Sequence, residues 1–376
     1  MNNELIIPAV DAVELLLIGM PLVQPFATSF SVQDDKQALL VKISSRGASG
    51  WGECVASPDP YYSPETNFTA YSVLKHFLVP LLTVPLRGCP LEEMLVRFER
   101  VRGHRMAKAA LENALLDLLA KTVDQPLWQL LGGRERLIPS GISIGIQPST
   151  DALIDAVGQA VARKYQRIKI KIKRGHDVRP LRRIRERYPE IPLLVDANAD
   201  YSLADAAVFM ALDELRLMMI EQPLAHDDLL DHARLQALLK TPICLDESIE
   251  SAADAELAIQ LKSCRIINIK QGRVGGLLAS RRIQDLCRRN GIAVWSGGML
   301  ESGIGRAVNI HLQTLPGFTL PGDTSETSRY FREDIVEPPV VLDRDGFIAI
   351  PAGPGIGVRV LESRLRRRTR FRETLL

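Results

Sequence analysis

Lys171, Asp196, Glu221, Asp246 and Lys270 each close a short apolar run, and the intervals between them are 25, 25, 25 and 24 residues. One β-strand, one turn and one helix fill such an interval, so the period predicts repeated βαβ units. Right-handed crossovers in series close most naturally into a parallel barrel, whose strand ends carry the active site. Three acids flanked by two lysines at those ends read as a metal site between two bases.

The spacing predicts barrel strands at 141–146, 168–173, 193–196, 217–221, 243–246, 266–270 and 293–296, with a weaker eighth near Phe318. Helices at 202–215, 227–239, 251–261 and 276–289 fall between them. Upstream the texture differs. Residues 4–55 alternate as a β-meander does, whereas 64–120 have helical spacing and end in an Ala- and Leu-rich run. Pro126 and Gly132-Gly133 punctuate the change. The expected division is therefore an α+β unit over 1–127, a barrel over 128–327, and a segment over 328–376 whose strand-like 335–351 returns to the first unit.

With 376 residues, 46% hydrophobic and 24% charged, the chain has the balance of a globular protein with a substantial core. A net charge of +2 argues against nucleic-acid binding. Arg364, Arg366, Arg367, Arg368, Arg370 and Arg372 crowd the C-terminus, as either a solvated helix end or a surface for an anionic partner. The apolar stretch 6–23 is interrupted by Asp11 and Glu14 and lacks a basic flank. It resembles neither signal peptide nor anchor, so a cytoplasmic protein without a membrane partner is expected. Five scattered cysteines without a CxxC pair suggest buried, inert thiols.

Neighbouring barrel strands lie about 4.8 Å apart, so side chains ending strands three, four and five can meet at one point. Asp196, Glu221 and Asp246 end those strands. All are hard oxygen donors without His or Cys beside them, which selects Mg²⁺, or Mn²⁺, over zinc. One acid at a strand end can equally cap the next helix; three in register favour a site. Strand alternation puts Lys169 and Lys171 on one face of strand two, and Lys270 ends strand six, half of an eight-strand ring away. The amines then face each other across the mouth, a geometry suited to moving a proton at a carbon next to a carboxylate. Arg273 favours a neutral Lys270 by like-charge repulsion, unless it pairs with an acid in the following loop.

The set Lys169-x-Lys171, Val195-Asp196-Ala197-Asn198, Ile220-Glu221-Gln222-Pro223, Leu245-Asp246-Glu247-Ser248 and Ile267-Asn268-Ile269-Lys270 resembles the enolase superfamily, in its muconate-lactonising subgroup. Segments 270–276, 295–305 and Leu320-Pro321-Gly322-Asp323-Thr324 look more narrowly like the o-succinylbenzoate synthase and N-acylamino acid racemase family. The resemblance implies an α/β fold, a TIM-like (β/α)7β barrel with an α+β capping domain. It implies Asp196, Glu221 and Asp246 as Mg²⁺ ligands, Lys171 and Lys270 as the acid/base pair, and Lys169 beside the substrate carboxylate. Asn198 and Glu247 would orient the ligands, and Ser143, Gly298, Met299 and Leu300 would touch substrate. Cap loops 26–30 and 57–62 would close the site. The implied reaction is Mg²⁺-dependent dehydration to o-succinylbenzoate in menaquinone synthesis, with racemisation of N-acylamino acids as the alternative. The expected partner is a small-molecule carboxylate, bound by a homo-oligomer. One departure, Lys173-Arg174-Gly175-His176-Asp177 where relatives often carry Pro and Trp, bears on substrate fit and lies outside the catalytic set.

Overall fold

The computed structural model describes residues 6–27, 32–82 and 90–376. Three antiparallel strands open the chain, β1 (Ala12–Ala27), β2 (Val32–Ser45) and β3 (Ala48–Cys54). Helices α1 (Asn67–Val73), α2 (Leu91–Phe98) and α3 (Arg105–Thr122) follow. Every residue of α3 from Met106 to Ala120 is buried. A helix buried on every face must be covered on every face, and α3 lies between the cap sheet and the barrel. It approaches β3 closely because Gly50 and Gly52 alternate on the facing side; a Cβ at Gly52 would stand 1.9 Å from the Ala110 carbonyl oxygen.

The polar side chains buried on α3 each reach a different neighbour. Asp117 accepts from the backbone N–H groups of Trp51 in the cap (2.8 Å) and Ile356 in the C-terminal segment (2.8 Å). Asn113 donates to Gln271 at 2.8 Å and Glu112 accepts from the Leu278 N–H at 3.0 Å, both on the barrel. Burial pushes the Glu112 carboxyl up to about 7, against the lowering effect of the N–H groups at Leu278 and Leu277. A carboxyl raised above its unfolded value contributes stability that is present below about pH 4.5 and is lost as pH rises through about 7. Glu112→Gln, neutral at every pH, should flatten this part of the stability profile between pH 5 and 8, a difference of up to about 3 kcal/mol. Melting temperatures of both proteins across that range check it; parallel profiles would refute the assignment.

Beyond α3 the chain alternates strand and helix. Strands β4 (Gly141–Ile144), β5 (Arg167–Lys171), β6 (Leu193–Asp196), β7 (Ile220–Glu221), β8 (Ile243–Leu245), β9 (Ile266–Ile269) and β10 (Ala293–Ser296) pair in parallel in sequence order. Helices α4 (Thr150–Ala162), α5 (Val178–Arg187), α6 (Ala206–Asp213), α7 (Leu229–Leu238), α8 (Ala252–Leu261), α9 (Leu277–Arg289) and α10 (Gly303–Leu312) cover them. This is the expected α/β barrel with its cap. The anticipated eighth strand is reduced to isolated parallel bridges, Val294 with Phe318 and Ser140 with Gly322. They still span from β10 to the start of β4. Pro316 and Pro321 lack the N–H a ladder needs, which accounts for the reduction.

Period-two alternation divides the barrel residues in two. Ile168, Ile170, Val195, Ile220, Ile243, Leu245, Ile267, Ile269 and Val294 belong to the main core under the helices. Leu194, Met219, Cys244, Ile266 and Trp295 form a separate inner cluster, each contributing roughly 2 kcal/mol by burial. Above this floor the next inward positions after Leu194, Met219 and Cys244 are Asp196, Glu221 and Asp246.

At the C-terminus, Phe347–Ile348 pairs with Ile138–Pro139 at the entry to the barrel rather than with the cap sheet. The strand that joins the cap comes later: β11 (Thr369–Thr374), antiparallel to β1 after α11 (Glu362–Arg368). Arginines of α11 and β11 are paired on the surface: Arg364, Arg367 and Arg368 with Glu333, Arg370 with Asp35, and Arg372 with Glu14. Cys54, Cys244, Cys264 and Cys287 are buried and free; Cys89 lies outside the described residues. Among the described residues no helix is long and apolar enough to cross a membrane.

Candidate active site

The strand ends bring the predicted charges into one buried network. Lys171, ending β5, places Nζ 2.6 Å from Asp196 and 2.5 Å from the Asn198 side-chain oxygen. Asn198 donates in turn to Glu247 at 3.0 Å. Two residues lower on β5, the Lys169 ammonium stands 3.3 Å from Asp196, 3.1 Å from Glu221 and 2.9 Å from Asp323. Lys270, following β9, pairs with Asp246 at 2.8 Å, and the Arg273 guanidinium pairs with the other oxygen of Asp246. Asp196, Glu221 and Asp246 are each wholly buried.

Backbone strain gathers at the same rim. Asn198, Ala199, Gln222 and Leu300 adopt positive φ, of 44°, 62°, 37° and 56°. Such conformations cost on the order of 1–3 kcal/mol each and persist where the surroundings over-determine them. Gln222 shows how: it accepts from the Asp246 and Ser248 N–H groups and donates to the Ser248 hydroxyl at 2.7 Å, tying β7 to β8.

Burial alone would raise every carboxyl here, and the neighbours decide the outcome. Asp246 is held well below the usual range because Arg273 and Lys270 outweigh burial. Asp196 is lowered as well, by Lys171 and Lys169. For Glu221 burial and repulsion from Asp196 prevail, lifting it to about 8, and Glu247 rises to about 6 through burial and Asp246. Burial opposes the charge on Lys270, but Asp246 outweighs it and the amine is held above its ordinary value. Arg273 does depress Lys270, as expected, yet is overridden; its pairing with Asp246 is the stronger effect.

Ser143 is buried and donates to Asp323 at 2.9 Å. Gly298 lies against Asp323, while Met299 and Leu300 are half-buried on the main core. Loop 57–62 reaches the site: the Tyr62 hydroxyl lies 2.9 Å from Lys270 Nζ and 3.0 Å from Arg273, and burial pushes it up to about 12. Of loop 26–30, residues 28–30 lie outside the described residues, and Phe26 packs edge-on against Tyr330 at 6.2 Å.

The profile of "Enolase C-terminal domain-like" proteins matches residues 152–364, and that of the "Mandelate racemase / muconate lactonizing enzyme, N-terminal domain" matches 12–132. The chain belongs to the enolase superfamily. Within it, an o-succinylbenzoate synthase of Geobacillus kaustophilus is 52% identical over 96% of both chains. An N-succinylamino acid racemase of Amycolatopsis is 46% identical over 93% of this chain and 94% of the other. The crystal structure of an unknown member of the superfamily from Enterococcus faecalis V583 superposes with a TM-score of 0.92 at 42% identity, covering 98% of this chain and all of that one.

Enolase-superfamily members generally depend on a divalent metal, Mg²⁺. Among the described residues no three acids, histidines or cysteines are gathered for an ion as the side chains stand; each acid is drawn to a cation of its own. The donor set nevertheless fits one. Three buried carboxylates end adjacent strands, and the repulsion that lifts Glu221 is of the kind a dication relieves.

Sequence reasoning gave no role to Arg167, Asn268 or Asp323, and reached Tyr62 only as a loop end. Arg167 could have been found by alternation, two residues before Lys169. Asn268 sits likewise two before Lys270 and donates to Glu221 at 2.9 Å. Asp323 lay inside a recognised motif without an assigned task.

Proposed function

We propose that this enzyme is an o-succinylbenzoate synthase, dehydrating 2-succinyl-6-hydroxy-2,4-cyclohexadiene-1-carboxylate in menaquinone synthesis with Mg²⁺, or Mn²⁺, as cofactor. The observation that carries the reading is a pair of lysines on strands far apart in the ring, each against a different acid: Lys171 with Asp196, Lys270 with Asp246. Near full-length relatives named o-succinylbenzoate synthase support the choice of reaction. Residues 1–127, joined by the closing strand at 369–374, act as cap and 128–327 as catalytic barrel, in a cytoplasmic homo-oligomer.

Asp196, Glu221 and Asp246 would hold the ion, which when bound supplies Lewis acidity to a carboxylate and so acidifies the adjoining C–H bond. Lys169 offers its ammonium to the same carboxylate, and Asn198 and Glu247 orient Lys171 and its surroundings. Lys171 takes the α-proton: the C–H bond breaks, an N–H bond forms and negative charge moves into the carboxylate. Lys270, kept charged by Asp246, stabilises that charge from the opposite side. Lys171 then returns the proton to the hydroxyl on the same face, the C–O bond breaks, water leaves and the ring becomes aromatic. Ser143, Gly298, Met299 and Leu300 bound the space for the rest of the substrate.

Facing lysines also suit a second reaction at the same site, racemisation of N-succinylamino acids, and the 46% identical racemase supports it. There Lys270 must release its proton, which Arg273 favours. Wild type should racemise N-succinylamino acids, and Arg273→Met should impair this more than dehydration. A kinetic comparison of dehydration with loss of optical rotation, on N-succinyl and N-acetyl substrates, tests both readings. No dehydration by wild type would sink the first; equal impairment of both reactions would sink the role of Arg273.

A further inference from the structure

Asp323 reaches the site from the position just after the Ser140–Gly322 bridge, fixed by its N–H to the Ser296 carbonyl at 2.8 Å. Its carboxylate is engaged at both oxygens. Oδ1 faces Arg167 at 2.8 Å; Oδ2 accepts from Ser143 at 2.9 Å and faces Lys169 at 2.9 Å. Arg167 is anchored independently, donating twice to the Pro321 carbonyl at 3.2 Å and lying over the Trp295 ring at 4.6 Å. The same ring lies 4.9 Å beneath the Lys169 ammonium. Lys169 thus rests on an aromatic floor among three carboxylates, of which Asp323 is the nearest and the only one outside the proposed metal-binding set.

A cation claiming Asp196 and Glu221 would take two of the three anions from Lys169 and add a like charge beside it. A buried ammonium without a counter-charge is costly. Asp323 cannot readily follow, since turning to an ion would strand the buried Arg167. We propose that Asp323 is a positioning residue: pinned by Arg167 and Ser143, it keeps the Lys169 ammonium in the barrel mouth where it meets the substrate carboxylate. This rests on the reading of the site given above.

The test is calorimetric titration of Asp323→Asn with Mg²⁺ and, in its presence, with o-succinylbenzoate, repeated in a Lys169→Met background. The expected result is at least a tenfold loss of o-succinylbenzoate affinity with Mg²⁺ affinity within about twofold of wild type, and no further loss when Lys169 is already Met. Asp323→Glu should recover part of it. Weakened Mg²⁺ binding would make Asp323 a ligand, and equal losses in both backgrounds would make it independent of Lys169; either overturns the proposal, as does unchanged affinity. Should the buried Arg167 prevent Asp323→Asn from folding, Arg167→Gln/Asp323→Asn removes both charges and is titrated in its place. A wild type that neither dehydrates nor binds o-succinylbenzoate defeats the functional reading alone. Asp323 is then judged on a crystal structure with Mg²⁺, where Lys169 must remain within about 3 Å of it and its departure is a refutation.

Discussion

Lys171→Ala should lower dehydration by roughly 10³-fold or more while leaving the fold and metal binding intact, the range expected for losing a general acid–base group. The expectation follows from what surrounds the other amines. Lys169 sits two residues lower on the same strand, against Asp323, and Lys270 follows a strand four away, against Asp246. Neither is placed to take a proton on the face Lys171 serves. Because Lys171 acts twice, as base and then as acid, the loss should fall on kcat and little on KM. Single-turnover measurement at saturating substrate checks it, and a near wild-type rate would remove Lys171 from the mechanism.

The second large effect concerns the acids. Exhaustive chelation should abolish turnover, and Mg²⁺ or Mn²⁺ should restore it. Glu221→Gln keeps an oxygen for Asn268 and removes only the charge, so the strand geometry should survive while Mg²⁺ affinity falls at least roughly 100-fold. Titration calorimetry reads this directly, without reference to any substrate. Full activity in a metal-free preparation would end the case for a three-carboxylate site.

The five charged rungs were legible because covalent spacing sets them: each ends an apolar run, and strand, turn and helix together take a fixed length of chain. The cap meander and the Ala- and Leu-rich α3 were legible from alternation and propensity. The eighth strand was weakly signalled because prolines reduce it to bridges, and Asp323 travels on that same aperiodic stretch. Tyr62 meets Lys270 only through the docking of cap on barrel, a contact that no local pattern encodes. The state of Lys270 turned on a competition between Arg273, three residues away, and Asp246, one strand over. Spacing names both competitors but ranks neither; the 2.8 Å contact with Asp246 does.

Helix α3 does more than fill space between two lobes. Through Asp117 it holds β3 and the C-terminal segment, through Asn113 it holds Gln271, the residue after Lys270, and through Glu112 it holds the first turn of α9. Removing the cap would expose those buried partners together with the apolar face packed on them. Cap and barrel should therefore melt as one cooperative unit, with amide protons at the start of α9 expected to exchange with solvent only when the whole molecule opens.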